Sequence, residues 1–398
     1  MAQVFGSEAK TIMLDGNRAA AYGVMMCKPD VVCAYPITPQ TDILETLYSF
    51  HADGVLKSEM VEVESEHSAM GVLRGAALAG GRTFTATNSQ GLALMYENCI
   101  YNATVRLPMV MVDVCREMAA PHAVTAGEQD AFMFKESGWI QLHARSCQEI
   151  FDSVIIAYRL TEDPEVRIPV ILCYDGYFLS HQWEPVEIPP QQVVDQFLPP
   201  LKMEPRVDPK TPKTFGPFLP PDMGTEYRYK QTLATEKAKA ALEKIEREFE
   251  EVFGRSYGGQ TEEYLTDDAD LLLVTVGSCA GTAMVAVDHK RSKGDKAGLV
   301  RVRMFRPFPG ERLTNALRKA KAIGVIDRNV SFGWNCGGLF MELKAALYSS
   351  GIRVPVVNFI AGLCGADITV EHIERSIDLI KNAIDKGASK EVYWLDIE

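Results

Sequence analysis

The sequence predicts an α/β protein with two domains, in which helices cover both faces of parallel sheets. Segments such as PMVMVDV (108–114) and PVILCYD (169–175) are apolar almost throughout, as strands buried on both faces are. Segments of helical periodicity separate them, and this alternation is typical of parallel α/β sheets. The composition then changes between 185 and 221, where eleven of the 21 prolines fall, and strand-like segments resume beyond that stretch.

The first predicted domain covers residues 1–184. Its helices are predicted at 16–27, 41–51, 66–79, 90–104 and 148–161, and its strands at 30–35, 60–64, 82–87, 108–114 and 169–175. In such sheets ligands bind beyond the carboxyl ends of the strands. The loops that follow the strands are therefore where candidate functional residues are sought.

Residues 185–265 are predicted to form a stiff, proline-rich connector followed by a charged helix at 230–253. Its apolar stripe is Leu242, Ile245, Phe249 and Val252, and Gly254 is a C-terminal cap. The stripe indicates a core or partner contact.

Residues 266–398 are predicted to form the smaller α/β domain, with strands at 270–278, 298–309, 322–329 and 354–360. Its VGSCAG turn (276–281) resembles a phosphate-binding turn but lacks the P-loop lysine, so it is interpreted as packing.

The charge and the apolar pattern exclude several classes of function. A net charge of −12 and the lack of any basic block argue against nucleic acid as a partner. No apolar run reaches the length of a membrane span, and the N-terminal MAQVFGSEAK has no signal-peptide core. These observations predict a cytoplasmic protein that does not bind membranes.

The nine cysteines are scattered, and none forms a C-x-x-C pair. The sequence therefore encodes neither a zinc ribbon nor an iron–sulfur cluster, and no metal site is predicted in this chain. Most cysteines lie in apolar segments and are predicted to be buried thiols.

The first candidate site is the turn AYPITPQT (34–41), which follows a predicted strand. Two prolines, Pro36 and Pro39, restrict the backbone on either side of Thr38. A connector needs no such stiffness, whereas a ligand-binding loop needs an oriented hydroxyl. The pattern favours Thr38 as a ligand-facing residue.

Two more candidates follow strands in the same domain. In VEVESEHSAMG (61–71), Glu62 and Glu64 fit the ordinary role of charges near a helix N-terminus, whereas Glu66 begins a helix whose composition indicates burial. In TNSQG (87–91), a small polar turn precedes a helix and could offer backbone N–H groups to a polar ligand.

The last candidate is Arg116, at the end of the most apolar strand. It either pairs with a carboxylate or binds an anionic substrate, and the sequence leaves these two possibilities equal. His67 and His122 are interpreted as solvated or structural.

Long motifs in a fixed order resemble a known family. They include VVCAYPITPQT, ESEHSAMGVLRGAALAGGRTFTATNSQGLALM, CREMAAP and NFIAGLCGADIT. Over nearly the whole chain, the sequence resembles the α subunit of 2-oxoacid:ferredoxin oxidoreductases of the multi-subunit pyruvate synthase type. The resemblance implies a pyrimidine-type thiamine diphosphate domain, followed by a transketolase-C-like domain.

The resemblance also implies an activity and partners. Such an enzyme oxidatively decarboxylates a 2-oxoacid, passes electrons to ferredoxin and delivers the acyl group to coenzyme A. The α chain holds the aminopyrimidine end of thiamine diphosphate. A β chain holds the diphosphate and Mg²⁺ through a Gly-Asp-Gly motif, which this sequence lacks. The [4Fe-4S] clusters are expected in partner chains of the β, γ and δ types.

The resemblance assigns roles to the candidate residues. Glu66 matches the glutamate that hydrogen-bonds the pyrimidine nitrogen and favours the imino tautomer of the cofactor. Thr38 matches the threonine on the substrate side, and Arg116 matches the arginine that pairs with the substrate carboxylate. The remaining expected cofactor contacts are Pro36, Ile37, Ser89, Gln90 and Gly91.

The substrate is left open at this stage, with pyruvate as the first candidate. Thr38 argues against oxalate, for which the family's threonine is replaced by arginine, whereas the charged Glu117 is unexpected beside a pyruvate pocket. Phenylglyoxylate and branched-chain 2-oxoacids are alternatives. So are a related thiamine-dependent decarboxylase or synthase, and a non-catalytic scaffold subunit that has kept the fold.

Overall fold

The computed structural model describes residues 8–397. Residues 1–7, which supply most of the segment used to argue against a signal peptide, and residue 398 lie outside the described residues. Among the residues that are described, no helix is both long enough and apolar enough to span a membrane.

The strands are β1 (Lys10–Leu14), β2 (Val31–Ala34), β3 (Glu59–Glu62), β4 (Thr83–Thr87), β5 (Val110–Cys115), β6 (Ile140–His143), β7 (Val170–Asp175), β8 (Glu184–Ile188), β9 (Thr261–Tyr264), β10 (Leu271–Thr275), β11 (Ala297–Val302), β12 (Met304–Arg306), β13 (Ala322–Asp327), β14 (Val356–Ile360) and β15 (Val392–Trp394).

The helices are α1 (Gly16–Cys27), α2 (Thr41–Ala52), α3 (Glu66–Leu78), α4 (Ser89–Leu94), α5 (Tyr96–Thr104), α6 (Gln129–Met133), α7 (Cys147–Thr161), α8 (Gln191–Phe197), α9 (Pro221–Phe253), α10 (Cys279–Ser292), α11 (Gly310–Ala316), α12 (Gly338–Ser350) and α13 (Val370–Lys386). Short 3-10 helices lie at Phe134–Glu136 and Leu363–Gly365.

Two large sheets confirm the predicted α/β class. The first has the order β12-β6-β7-β5-β4-β2-β3, and all of its neighbouring pairs are parallel except β12 with β6. Helices α1, α2, α7 and α9 pack on one face of this sheet, and α3 to α6 pack on the other. Its strands are therefore buried on both faces, as their apolar composition predicts.

The second sheet has the order β15-β14-β13-β10-β11-β9, and only β9 is antiparallel to its neighbour. Helices α10 and α13 cover one face, and α11 and α12 cover the other. The predicted burial of the cysteines is also confirmed, because eight of the nine are buried and only Cys364 is exposed.

Two predictions about the elements were wrong in detail, and several strands were missed. The helix expected at 90–104 is two helices, α4 and α5, that meet at Met95. The strand expected at 298–309 is divided, because β11 belongs to the second sheet and β12 pairs with β6 of the first. The short strands β1, β6, β8, β9 and β15 were not predicted.

The proline-rich segment is not extended throughout. Strand β8 pairs antiparallel with β1, and α8 follows it. Helix α9 begins at Pro221, because proline is well accommodated in the first turn of a helix. The cap at Gly254 is confirmed by its left-handed backbone. Of the predicted stripe only Val252 is misplaced, since it is 48% exposed while the other three residues are buried.

Buried ion pairs join the two domains. Arg301 donates to both oxygens of Glu149 on α7, at 3.0 and 2.9 Å, and Arg303 donates to Glu149 Oε1 at 2.9 Å. All three side chains are fully buried. Arg303 also pairs with Glu246 on α9 at 2.5 Å, and Arg301 pairs with Glu262 at 2.7 Å. The guanidiniums of the second domain therefore reach helices of the first.

A second contact between the domains involves the VGSCAG turn. Asp175, at the end of β7, accepts the N–H of Ser278 at 2.9 Å and pairs with Arg328 at 2.6 Å. A carboxylate of this chain therefore occupies the turn that resembles a phosphate site, which agrees with its interpretation as packing.

We expect Glu149→Ala to lower the free energy of unfolding of the chain by about 3–5 kcal/mol, because it leaves two buried guanidiniums without their shared carboxylate. Denaturant titration followed by circular dichroism measures the change. The control is Glu226→Ala, which removes an exposed i,i+4 partner of Lys230 and should leave the midpoint unchanged. Equal midpoints for both variants would contradict the role given to Glu149.

Candidate active site

The candidate residues meet at the carboxyl edge of the first sheet. The loops that carry Thr38, Gln90 and Arg116 follow β2, β4 and β5, which are neighbouring parallel strands. Glu66 begins α3 after β3, the next strand along the sheet. Because the carboxyl ends of parallel strands lie at one edge of the sheet, the segments that follow these four strands lie close together although they are distant in sequence.

The turn at 35–39 is held by side chains. Four of its carbonyl oxygens each accept a side-chain hydrogen bond: Tyr35 O from Gln40 Nε2 (2.9 Å), Ile37 O from Asn88 Nδ2 (3.1 Å), Thr38 O from Arg116 Nη1 (2.5 Å) and Pro39 O from Asn17 Nδ2 (2.7 Å). Three of these donors belong to other parts of the chain. Tertiary contacts therefore hold the turn in place, in addition to its own prolines. Pro36 and Thr38 themselves are exposed.

Glu66 is buried at the start of α3, next to Gly91. Ser65 caps the helix by accepting the N–H of Ser68 at 3.3 Å, which fixes where the helix begins. Glu66 is only 5% exposed, and no donor among the described residues hydrogen-bonds to its carboxylate. A Cβ at Gly91 would lie 2.5 Å from Glu66 Oε1, so only glycine leaves room beside this oxygen.

Gln90 connects the loop after β4 to the loop after β5. Its Oε1 accepts hydrogen bonds from Arg116 Nη2 at 2.7 Å and from Ser89 Oγ at 2.6 Å. No carboxylate of the described residues pairs with the Arg116 guanidinium, and burial lowers the pKa of this group. The sequence left open whether Arg116 pairs with a carboxylate or binds an anionic substrate. Pairing with a carboxylate of the described chain is not observed.

Sequence reasoning missed Asp130, a fully buried residue of α6. Its Oδ2 accepts the backbone N–H groups of Ser89 and Arg116, both at 2.9 Å. The N–H of Ser89, which the TNSQG turn was expected to offer to a ligand, is therefore already engaged within the chain. A single acidic residue in a five-residue helix gives no signal in the sequence that could have revealed this contact.

The side chain of the unexpected Glu117 contacts residues outside the candidate site. Its Oε2 accepts the N–H of Cys364 at 3.4 Å, and a Cβ at Gly127 would lie 2.8 Å from the same oxygen. Burial raises the pKa of Glu117. The charged side chain thus contacts the second domain, and its presence in the sequence carries no information about the polarity of a substrate pocket.

His67 and His122 are both exposed, in accordance with the solvated role predicted for them. Asp113, Cys115 and Cys173 bring one potential metal ligand each to within 4.8 Å of one another. Burial raises the pKa of all three groups, that of Cys173 to about 11. A raised pKa disfavours the deprotonated form that a metal ligand needs.

Several buried polar atoms near this edge have no hydrogen-bond partner among the described residues. They include Thr87 Oγ1, Asn88 Oδ1, Gln90 Nε2 and Arg116 Nε. Buried polar atoms are almost always paired in native proteins, so such a group indicates a ligand or water. Together with the unpaired Glu66 carboxylate, these atoms are chemically compatible with the aminopyrimidine of thiamine diphosphate.

Comparison with protein families gives two matches. Residues 22–247 match the family described as pyruvate flavodoxin/ferredoxin oxidoreductase, thiamine diphosphate-binding. Residues 269–373 match core domain II of pyruvate:ferredoxin oxidoreductase.

Three relatives cover nearly the whole chain. It is 42% identical over 390 residues to pyruvate synthase subunit PorA of Methanosarcina barkeri, covering 98% of this chain and 97% of the relative. It is 41% identical to the α subunit of NADH-dependent phenylglyoxylate dehydrogenase of Aromatoleum evansii, with coverages of 97% and 95%. Ketoisovalerate oxidoreductase subunit VorA of Pyrococcus abyssi is 42% identical, with coverages of 97% and 98%.

Solved structures share the fold at low identity. A 2-oxoglutarate:ferredoxin oxidoreductase of Magnetococcus marinus superposes with a TM-score of 0.70 and 19% identity over 94% of this chain. This chain spans 65% of the length of that one. A split-gene transketolase gives a TM-score of 0.51 and 16% identity, with coverages of 94% and 97%. Both likenesses agree with the predicted thiamine-type and transketolase-C-like architecture. By its two family matches and by relatives of this similarity, the chain belongs to the α-subunit family of the 2-oxoacid:ferredoxin oxidoreductases.

Proposed function

We propose that this chain is the catalytic α subunit of an enzyme that oxidatively decarboxylates a 2-oxoacid. The reaction converts one 2-oxoacid, one coenzyme A and two oxidised ferredoxins into one acyl-CoA, one CO₂, one proton and two reduced ferredoxins. The observation that carries the proposal is the buried Glu66 carboxylate, which has no hydrogen-bond donor within the described chain and packs against Gly91, where a Cβ would lie 2.5 Å from its Oε1.

Glu66 is the residue that would hold the aminopyrimidine end of thiamine diphosphate, by accepting a hydrogen bond from a ring nitrogen and so keeping a proton at that atom. When bound, thiamine diphosphate supplies the nucleophilic carbon and the electron sink for decarboxylation. Gln90 Nε2, Thr87 Oγ1 and Asn88 Oδ1 are free to satisfy the other polar groups of the ring. Pro36, Ile37, Ser89 and Gly91 complete the proposed cofactor contacts.

Thr38 and Arg116 are the residues proposed to meet the substrate. Arg116 keeps its Nε without a partner, and its planar guanidinium suits the carboxylate of a 2-oxoacid. Arg116 Nη1 also donates to the Thr38 carbonyl, so one side chain would both bind the substrate and fix the turn that presents the Thr38 hydroxyl. Binding and orientation would thus depend on the same hydrogen-bonded group.

The site as this chain builds it is one-sided, since Pro36 and Thr38 are exposed and the sequence holds no Gly-Asp-Gly motif. We propose that a β subunit covers it and supplies the diphosphate and Mg²⁺ contacts. The [4Fe-4S] clusters would lie in the β subunit and in partners of the γ and δ types, and the complex would work in the cytoplasm. That relatives are named as subunits supports such an assembly.

Pyruvate is the proposed first substrate, on the similarity to pyruvate synthase subunits. Relatives named for phenylglyoxylate and ketoisovalerate are equally similar, so identity does not choose between these substrates, and one of those relatives is NADH-dependent. The experiment therefore compares the three acids as substrates. A scaffold subunit that has lost activity is the alternative, and it has no need for Glu66, Thr38 and Arg116 at one place.

We expect the tagged chain, purified without oxygen from its own cells, to bring with it a Gly-Asp-Gly chain and a chain with ferredoxin-type cysteines, with about one thiamine per α chain. The complex should reduce ferredoxin when given coenzyme A and pyruvate, and 3-methyl-2-oxobutanoate and phenylglyoxylate are the comparison substrates. Recovery of the chain with partners but without thiamine or turnover would favour the scaffold.

We expect Glu66→Gln to lower turnover of the complex by roughly 10²–10⁴-fold, because the neutral amide cannot hold the proton at the ring nitrogen as a carboxylate does. The matched control is Glu64→Gln, two residues away, whose exposed carboxylate accepts a hydrogen bond from Ser68 and should not affect turnover. Activity of Glu66→Gln within a few-fold of wild type would refute the role of Glu66.

We expect Arg116→Ala to raise the KM for the 2-oxoacid by roughly 10- to 100-fold, because a hydrogen bond to a charged group contributes about 1.5–3 kcal/mol. The KM for coenzyme A should stay unchanged. Steady-state kinetics of the complex measure both constants, and Arg312→Ala, a half-exposed arginine of α11, is the control. An unchanged KM for the 2-oxoacid would mean that Arg116 only supports the turn.

A further inference from the structure

The carboxylate of Asp130 joins two loops of the candidate site. One oxygen, Oδ2, accepts the N–H of Ser89 and the N–H of Arg116, each at 2.9 Å, although these residues lie in loops after different strands. The other oxygen, Oδ1, accepts the N–H of Ala131 at 2.9 Å. Asp130 is fully buried, so all three hydrogen bonds are shielded from water.

These contacts fix the backbone next to the residues that are proposed to act. Ser89 has a left-handed backbone (φ 44°), which a residue with a Cβ rarely adopts without a strong partner for its N–H. Gln90 follows it, and Gln90 Oε1 receives Arg116 Nη2 at 2.7 Å. Because Asp130 Oδ2 binds the backbones of Ser89 and Arg116, it sets the separation of the two segments and so allows Arg116 Nη2 to reach Gln90 Oε1.

A second carboxyl group lies close by but makes no such contacts. Asp113 on β5 is also fully buried, yet its Oδ1 has no partner and its Oδ2 receives only the Cys115 thiol at 3.6 Å. Burial and the neighbouring Asp130 raise the pKa of Asp113 well above its usual range. Burial also raises the pKa of Asp130, to about 7, but the three N–H groups that point at Asp130 favour its charged form.

We propose that Asp130 is a positioning residue for the reaction proposed above: its carboxylate holds the backbones of Ser89 and Arg116 at the separation that lets Arg116 reach both Gln90 and the substrate carboxylate. This inference rests on the proposed function. Asp130 touches neither substrate nor cofactor and acts through the backbones of Ser89 and Arg116, so its loss weakens binding of the 2-oxoacid through Arg116 and leaves Glu66 as it is.

The test compares Asp130→Asn with Asp113→Asn in the intact complex. An asparagine offers one acceptor oxygen and an NH₂ group that meets another donor, so it cannot satisfy all three N–H groups. We expect Asp130→Asn to raise the KM for the 2-oxoacid at least tenfold, with smaller changes in kcat and in bound thiamine and an unchanged KM for coenzyme A. Asp113→Asn, equally buried and isosteric, should match wild type in all four quantities.

Hydrogen exchange gives a readout that needs no turnover. The amides of Ser89 and Arg116 should be protected in the wild-type complex and should exchange at least tenfold faster in Asp130→Asn, but not in Asp113→Asn. If Asp130→Asn does not assemble, the wild-type measurement decides, because exchange at the rate of an exposed loop overturns the proposal.

Equal KM values for the 2-oxoacid in the two variants also overturn it. Should the wild-type complex turn over no 2-oxoacid, the proposed function fails, while the exchange data still decide whether Asp130 holds the two loops.

Discussion

The arrangement of the two sheets depends on one buried carboxylate. Glu149 receives hydrogen bonds from Arg301 and Arg303, and all three side chains are removed from water. Taking such charges out of water is costly, so the network is stable only when every member is present. Immediately after these arginines, β12 joins the first sheet, and the second domain is thereby fixed to the layer that carries the site.

The same principle operates at the carboxyl edge of the first sheet on a smaller scale. The turn that presents Thr38 is rigid because side chains from α1, from the loop after β4 and from the loop after β5 take up its carbonyl groups. Its prolines restrict the local backbone, but they cannot determine where the turn lies relative to Glu66. Hydrogen bonds from distant side chains determine the position of the turn. The buried polar atoms of this edge that stay unpaired are those proposed to meet the cofactor.

The two kinds of buried carboxyl group in the chain have different uses. Glu149 is compensated by arginines and serves stability, whereas Glu66 has no partner in the described chain and Asp130 has only backbone N–H groups. A buried carboxyl group without compensation either has a raised pKa, as Asp113 has, or is met by a group from outside the chain. The different partners of these groups therefore distinguish Glu149, which stabilises the fold, from Glu66 and Asp130, which are assigned to the candidate site.

Local pattern was enough to predict the parallel α/β class, most of the strands, the cap at Gly254 and the candidates Thr38, Glu66 and Arg116, because apolar periodicity and backbone restriction are written in neighbouring residues. It could not reveal β6, the division of 298–309 between two sheets, the direction of the Glu117 side chain or the role of Asp130. Each of these depends on a partner far away in sequence: β12 for β6, Cys364 for Glu117, and the loops of Ser89 and Arg116 for Asp130. Hydrogen bonds and ion pairs between distant segments form only in the folded chain, so only the tertiary structure decided them.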